Sequence, residues 1–207
     1  MRVLGIDPGF GRTGFGVVET AGGRQRMAAC GCIETAPGSP TGARLRTIHL
    51  AICGVIAEHH PDVIAVEQLF FKRNVTTALT AAEARGVAVL AAELFGVPQV
   101  EYTPAQVKQA VVGYGRADKR QVQEMVRLLL GLAEPPRPDD AADALAVALA
   151  HAQSSSYLNR LGVGGGRDAA PEAAPEGGPA RPAGTGGART RPVPVRPDGI
   201  VWRKPVI

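Results

Sequence analysis

What the 207-residue chain lacks narrows it first. No run of about eighteen uncharged apolar residues occurs, so nothing reads as a membrane-spanning helix. The N-terminus, MRVLGIDPG, has neither the basic start, the long apolar centre nor the cleavage site of a signal peptide, which points to a cytoplasmic protein. Cys30, Cys32 and Cys53 are odd in number and lack CxxC or Cys/His ligand spacing, which argues against a disulfide framework and a zinc site. A positive excess is missing from most of the chain as well. Residues 1–152 carry 15 Lys and Arg against 15 Asp and Glu, while residues 153–207 carry 8 against 4 and supply the whole net charge of +4. The basic balance therefore belongs to the tail and says little about the folded part.

Two segments follow from composition: a folded domain over residues 1–152 and a tail over 153–207. The tail is rich in Gly, Pro, Ala and Arg and has no sustained apolar period, so it cannot bury enough surface to offset its chain entropy, and disorder is expected. Its basic residues leave open a nonspecific affinity for DNA beside a merely solvated extension. Its end, DGIVWRKPVI, holds the only tryptophan, Trp202, and reads either as a frayed terminus or as a short docking motif.

Within the folded part, short apolar runs at residues 2–7, 14–19 and 27–34, separated by tight-turn residues, predict an antiparallel meander of three strands. Apolar residues at helical spacing from Leu45 to Ile56, stopped at Pro61, predict a helix, and residues 62–67 (DVIAVE) a buried strand. An Ala-rich helix over 75–95, a strand over 99–102, helices over 104–112 and 118–130, and a last helix from Pro138-Asp139-Asp140 to Ala150 complete the order. This order implies an α/β fold with a five-stranded mixed sheet, three antiparallel strands plus two parallel, flanked by helices, as in the RNase H-like architecture. The small residues around Ala81, Ala82, Ala84, Gly86 and Ala88, with Arg85, permit close packing against another helix, of this chain or of a second subunit.

The acids carry the chemistry. Asp7 closes the first strand just before Pro8-Gly9, and Glu67 ends the very apolar DVIAVE. Asp140 and Asp143 lie three apart on one face of the last helix. Each has a plainer reading alone: Asp7 bonding to its turn, Glu67 as the first exposed residue after a strand, Asp139 or Asp140 as an N-cap. Together they fit a metal site, because acids clustered on apolar elements are costly unless cations compensate them. Two divalent ions about 3.5–4 Å apart are an efficient device for cutting a phosphodiester, and magnesium takes hard oxygen ligands.

Six pieces in order and spacing resemble the RuvC family of Holliday-junction resolvases: GIDPGxxxTG at 5–14, VEQxF at 66–70, ARG at 84–86, EYTPAQVKQAVVGYG at 101–115, Asp118-Lys119 with Gln121-Val122-Gln123, and DAADALAVALAH at 140–151. The match spans essentially residues 1–152 and leaves the tail outside. The resemblance implies that Asp7, Glu67, Asp140 and Asp143 are catalytic ligands of magnesium, two ions per site with manganese able to substitute. It implies a homodimer that nicks four-way DNA junctions symmetrically in recombination and repair, with a RuvA–RuvB branch-migration complex as partner. It makes Phe70 an aromatic set against bases near the crossover, and Lys108 and Lys119 basic residues near the scissile phosphate. Lys72, Arg73, Arg116 and Arg120 are candidates to extend the DNA-facing surface.

Three rival readings remain. DPGFGRTGFG also resembles the first phosphate loop of actin-like and sugar-kinase ATPases, but those folds need a second similar domain with its own loop, and the folded part is too short for both. A noncatalytic junction-binding protein and a nuclease acting on RNA–DNA hybrids or other branched DNA share the same fold.

Overall fold

The computed structural model describes residues 1–69, 75–160 and 202–203. β1 (Arg2–Asp7), β2 (Arg12–Ala21) and β3 (Arg24–Glu34) form the antiparallel meander. Gly22 and Gly23, at φ 58° and 78°, make its hairpin turn, a backbone that side-chain-bearing residues rarely adopt. α1 (Thr41–His59) then leads to β4 (Val63–Glu67), which pairs parallel with β1, and α2 (Val75–Phe95) leads to β5 (Gln99–Tyr102), parallel with β4. Helices α3 (Pro104–Val112), α4 (Lys119–Leu130) and α5 (Asp139–Arg160) follow.

The sheet order is β5-β4-β1-β2-β3-β6. The first five strands are those expected from the sequence. The sixth, β6 (Trp202–Arg203), comes from the C-terminal segment and pairs antiparallel with Cys30 and Gly31 at the β3 edge. Trp202, read as part of a frayed terminus or of a docking motif for a partner, pairs here with this chain's own sheet. The expected disorder of the tail falls on residues outside those described, except that α5 continues past 152 to Arg160.

Alternate residues of each strand face opposite layers. Leu4, Ile6, Phe15 and Val17 face α1 and α2, together with Ile48, Ile52, Val55 and Ala84, Ala88, Ala91 and Ala92. Val3, Val18 and Ala65 face α5, which α3 and α4 cover from outside through Val107, Val111, Val122 and Val126. Of the small residues of α2, Ala84 and Ala88 are fully buried in the layer shared with α1 and the sheet, whereas Gly86 is exposed. The exposed apolar side chains of α2, Leu79, Leu90 and Leu94, lie opposite the buried face.

α5 is buried nearly all round, with Ala141, Ala142 and Ala144 to Ala150 at 1% exposure or less. Such a helix must touch the sheet closely, and glycines make the room. A Cβ on Gly5 would meet the Ala144 carbonyl oxygen, and one on Gly14 the Asp140 carbonyl oxygen. Gly14 is a seat for α5.

Candidate active site

The sheet alone brings the first two acids together. Asp7 ends β1, Glu67 ends β4, and the parallel register pairs Ile6 with Val66, so both carboxylates emerge side by side. Each carboxyl bears on the titration of the other. Burial first, and then the charge of Asp143, pushes Asp7 up to about 6. Burial and then the charge of Asp7 push Glu67 further, to about 8. Glu67 is thus the harder of the two to ionise.

α5 supplies the other two acids. Gly14 is the β2 partner of Asp7 and lies against the Asp140 backbone, so the first turn of α5 sits next to the end of β1. Asp139 is the first residue of this helix rather than its N-cap; Pro138 supplies the carbonyl that accepts from the Ala141 and Ala142 amides. Asp140 Oδ2 is 3.0 Å from Arg12 Nη2, and Arg12 Nε is 3.7 Å from Glu34 Oε1. The Cys32 thiol approaches the same Asp140 oxygen at 4.0 Å. Asp143 Oδ2 accepts from Lys119 Nζ at 3.0 Å. Burial raises the Asp143 carboxyl even so, against the opposing pull of Lys119.

Two capped helix starts deliver the lysines. Thr103, followed by Pro104 and reciprocally bonded to Gln106, opens α3. Asp118, reciprocally bonded to Gln121, opens α4 and fixes Lys119 in its first turn. Lys119 also reaches Asp139 at 3.4 Å. Lys108 and Lys119 line a cavity of about 240 Å³ with Glu67 and Asp143, over an apolar floor of Pro104, Val107, Val122 and Ala146. Lys108 has an electrostatic effect on Glu67, offsetting part of its rise. Arg116 and Arg120 are exposed around the start of α4 and contribute nothing to this lining. Phe70, Lys72 and Arg73 lie outside the described residues.

Four carboxylates from three elements make a hard-oxygen donor set. Among the described residues no three such side chains already converge on one point: Asp7 and Glu67 end neighbouring strands, Asp140 faces Arg12 and Asp143 faces Lys119. The electrostatics nevertheless fit a divalent cation, because burial and the neighbouring acids raise both the Asp7 and the Glu67 carboxyls, a pair short of positive charge. Sequence reasoning missed Arg12, whose charge at the root of a hairpin reads as ordinary surface.

A family model described as crossover junction endodeoxyribonuclease RuvC matches residues 3–151. The chain belongs to the RuvC family. RuvC proteins of Brevibacillus brevis and Chloroflexus aggregans are 54% and 55% identical to it, over 77% and 79% of this chain and 96% and 99% of theirs. The solved structure of Thermus thermophilus RuvC with a Holliday junction substrate aligns at a TM-score of 0.72 and 41% identity, covering 79% of this chain and 97% of that one. The yeast mitochondrial Holliday junction resolvase Ydc2 shares the fold at a TM-score of 0.53 and 14% identity. The chain is therefore a crossover junction endodeoxyribonuclease, a Holliday junction resolvase of the RuvC type. The ATPase reading of DPGFGRTGFG falls with that assignment. Among the described residues no helix is long and apolar enough to cross a membrane.

Proposed function

We propose that Asp7, Glu67, Asp140 and Asp143 hold two magnesium ions and hydrolyse one phosphodiester at a four-way DNA junction, with manganese able to substitute. The observation that carries this reading is the gathering of four carboxylates from three elements, Asp7 and Glu67 on neighbouring strand ends and Asp140 and Asp143 on the first turns of α5 packed against them. Carboxylates gathered without compensating cations are costly, and magnesium would offset that cost. When bound, the metal ions supply a sharpened water nucleophile and stabilise the departing oxygen.

The chain's own residues do the rest. The ends of β1 and β4 fix Asp7 and Glu67 on a rigid sheet, and α5 sets Asp140 and Asp143 against it. Lys108 and Lys119, at the mouth of the same cavity, attract the phosphate backbone and offset charge that develops on it. Arg116 and Arg120, with Lys72 and Arg73, extend this positive surface; by resemblance, Phe70 packs against bases at the crossover. A homodimer would nick two strands of like polarity, and the exposed Leu79, Leu90 and Leu94 of α2 offer it an apolar face. A RuvA–RuvB complex is the partner the family resemblance implies, and a cytoplasmic location goes with it.

The test is cleavage of a synthetic mobile four-way junction beside linear duplex and an RNA–DNA hybrid, with magnesium and with EDTA, for the native chain and Asp7→Asn. Paired symmetric nicks on the junction alone, lost in Asp7→Asn while junction binding persists, support the proposal. Cleavage of the hybrid would move the substrate, and metal-independent binding with no cleavage would replace the proposal with a noncatalytic role.

A further inference from the structure

Three of the sequence pieces that carry the family resemblance contain a polar residue with no part in the chemistry above: Gln68 of VEQ, Arg85 of ARG and Glu101 of EYTPAQ. The fold brings these three together. Arg85 projects from the middle of α2 and its guanidinium pairs with Glu101 Oε1. The other oxygen of the same carboxylate, Oε2, accepts from the Gln68 side-chain amide at 3.2 Å. The Gln68 backbone N–H donates to the Tyr102 carbonyl at 2.8 Å, continuing the β4–β5 ladder one residue past the end of β4.

The residue immediately after Glu67 is therefore tied to β5 twice, once through its backbone and once through its side chain. Both Glu101 oxygens are engaged, so the arrangement works as a unit. Without Arg85 the carboxylate is free to turn toward water, and the Gln68 amide loses its partner. Without Gln68 the chain leaving Glu67 is held by the ladder bond alone. None of the three side chains lines the cavity beside Glu67, which rules out a direct part in it.

We infer that Gln68, Arg85 and Glu101 are positioning residues: an Arg85–Glu101–Gln68 chain joins α2 and β5 to the backbone that presents Glu67, and sets how well Glu67 receives a divalent cation. This inference rests on the proposed role of Glu67 as a metal ligand. Partners of this kind behind a ligand typically change metal affinity by about 10–100-fold. As a plain stabilising contact the group counts for little, since Arg85 and Glu101 keep 32% and 29% of their side-chain surface in water. The two roles therefore separate in experiment.

The full-length chain is titrated with Mn2+ by calorimetry without DNA, and the Mg2+ half-saturation of junction cleavage is measured alongside, for the native protein, Asp7→Asn, Gln68→Ala, Glu101→Ala and Glu101→Gln. Gln68→Ala and Glu101→Ala are expected to weaken Mn2+ binding and raise the Mg2+ half-saturation by about tenfold or more. Their cleavage at saturating Mg2+ stays within a few-fold of native. Glu101→Gln, which keeps an acceptor for Gln68, recovers part of the loss. If the native chain binds Mn2+, Asp7→Asn does not, and both alanine variants bind like the native chain, the positioning role is overturned and the metal site stands. If the native chain and Asp7→Asn are equally unable to bind Mn2+, the metal site itself fails and takes this inference with it. Should Glu101→Ala fold poorly, Gln68→Ala, which removes a single part-buried amide, decides the question alone.

Discussion

Lys119 Nζ lies 3.0 Å from Asp143 Oδ2 and 3.4 Å from Asp139 Oδ2, so the lysine at the mouth of the cavity is held between two acids of α5. Burial lowers its pKa, but the hydrogen bonds and charges of the two aspartates outweigh that and raise it, so Lys119 stays charged. A phosphate arriving at the cavity meets a cation whose position is already set. Lys119→Met is expected to slow junction cleavage by about 10²-fold at saturating Mg2+. The slope of log affinity against log salt should become shallower by about 0.9, the loss of one phosphate contact. Single-turnover rates and a salt series on the same junction check both; an unchanged slope would place Lys119 away from the backbone.

Asp7→Asn should remove cleavage and raise stability together. The native carboxylate sits in a buried site against the charges of Asp143 and Asp140, and an amide of the same shape fills that site without the charge. A gain on the order of 1 kcal/mol is expected in metal-free buffer. Thermal unfolding in EDTA reads it, and a lower melting temperature for Asp7→Asn would contradict the electrostatic account.

The two raised carboxyls also fix a direction with pH. Asp7 goes from 3.8 to about 6 and Glu67 from 4.5 to about 8, so over this range the folded chain holds protons that the unfolded chain has released. Their contribution is fully present below the unfolded values and is lost as pH rises through the folded ones. In EDTA the melting temperature should therefore fall between about pH 5 and pH 8.5, and Glu67→Gln should flatten that fall. Added Mg2+ should raise the melting temperature more at pH 8.5 than at pH 6, because the ligands must shed their protons to bind it.

Gly14→Ala tests the seat of α5. The added methyl would meet the Asp140 carbonyl oxygen, and both partners are backbone, so neither can swing aside. A loss of about 1–3 kcal/mol is expected, with cleavage impaired further because Asp140 moves with the clash. Denaturant melts and cleavage rates below the melting range separate the two effects.

Much of this was legible before the fold was known, and the reasons are local. Thr103-Pro104 and Asp118 announce helix starts that the structure places within a residue of the reading. Gly96-Val97-Pro98 marks the entry to β5, and Asp7 and Glu67 stand out as acids ending apolar runs. Where the reading fell short, the signal was absent. β3 begins at Arg24, three residues earlier than the apolar pattern shows, because its first residues are polar and largely exposed. α5 runs on through Ser154, Ser155 and Ser156, which resemble the start of a linker. The contacts Arg12–Asp140 and Arg85–Glu101 join distant segments through side chains that look like ordinary surface charge, and only the folded chain pairs them.

The glycine seam between α5 and the first two strands has one further consequence. A helix resting on side chains can settle closer by small repacking, but one resting on backbone has no side chain left to yield and cannot come closer to the sheet. Gly5 against Ala144 and Ala148, and Gly14 against Asp140, index the helix to the sheet as two dowels index a tool to its bed. Whatever bending or opening a large branched DNA demands of this protein must therefore be absorbed away from that seam, leaving the alignment of its acids undisturbed.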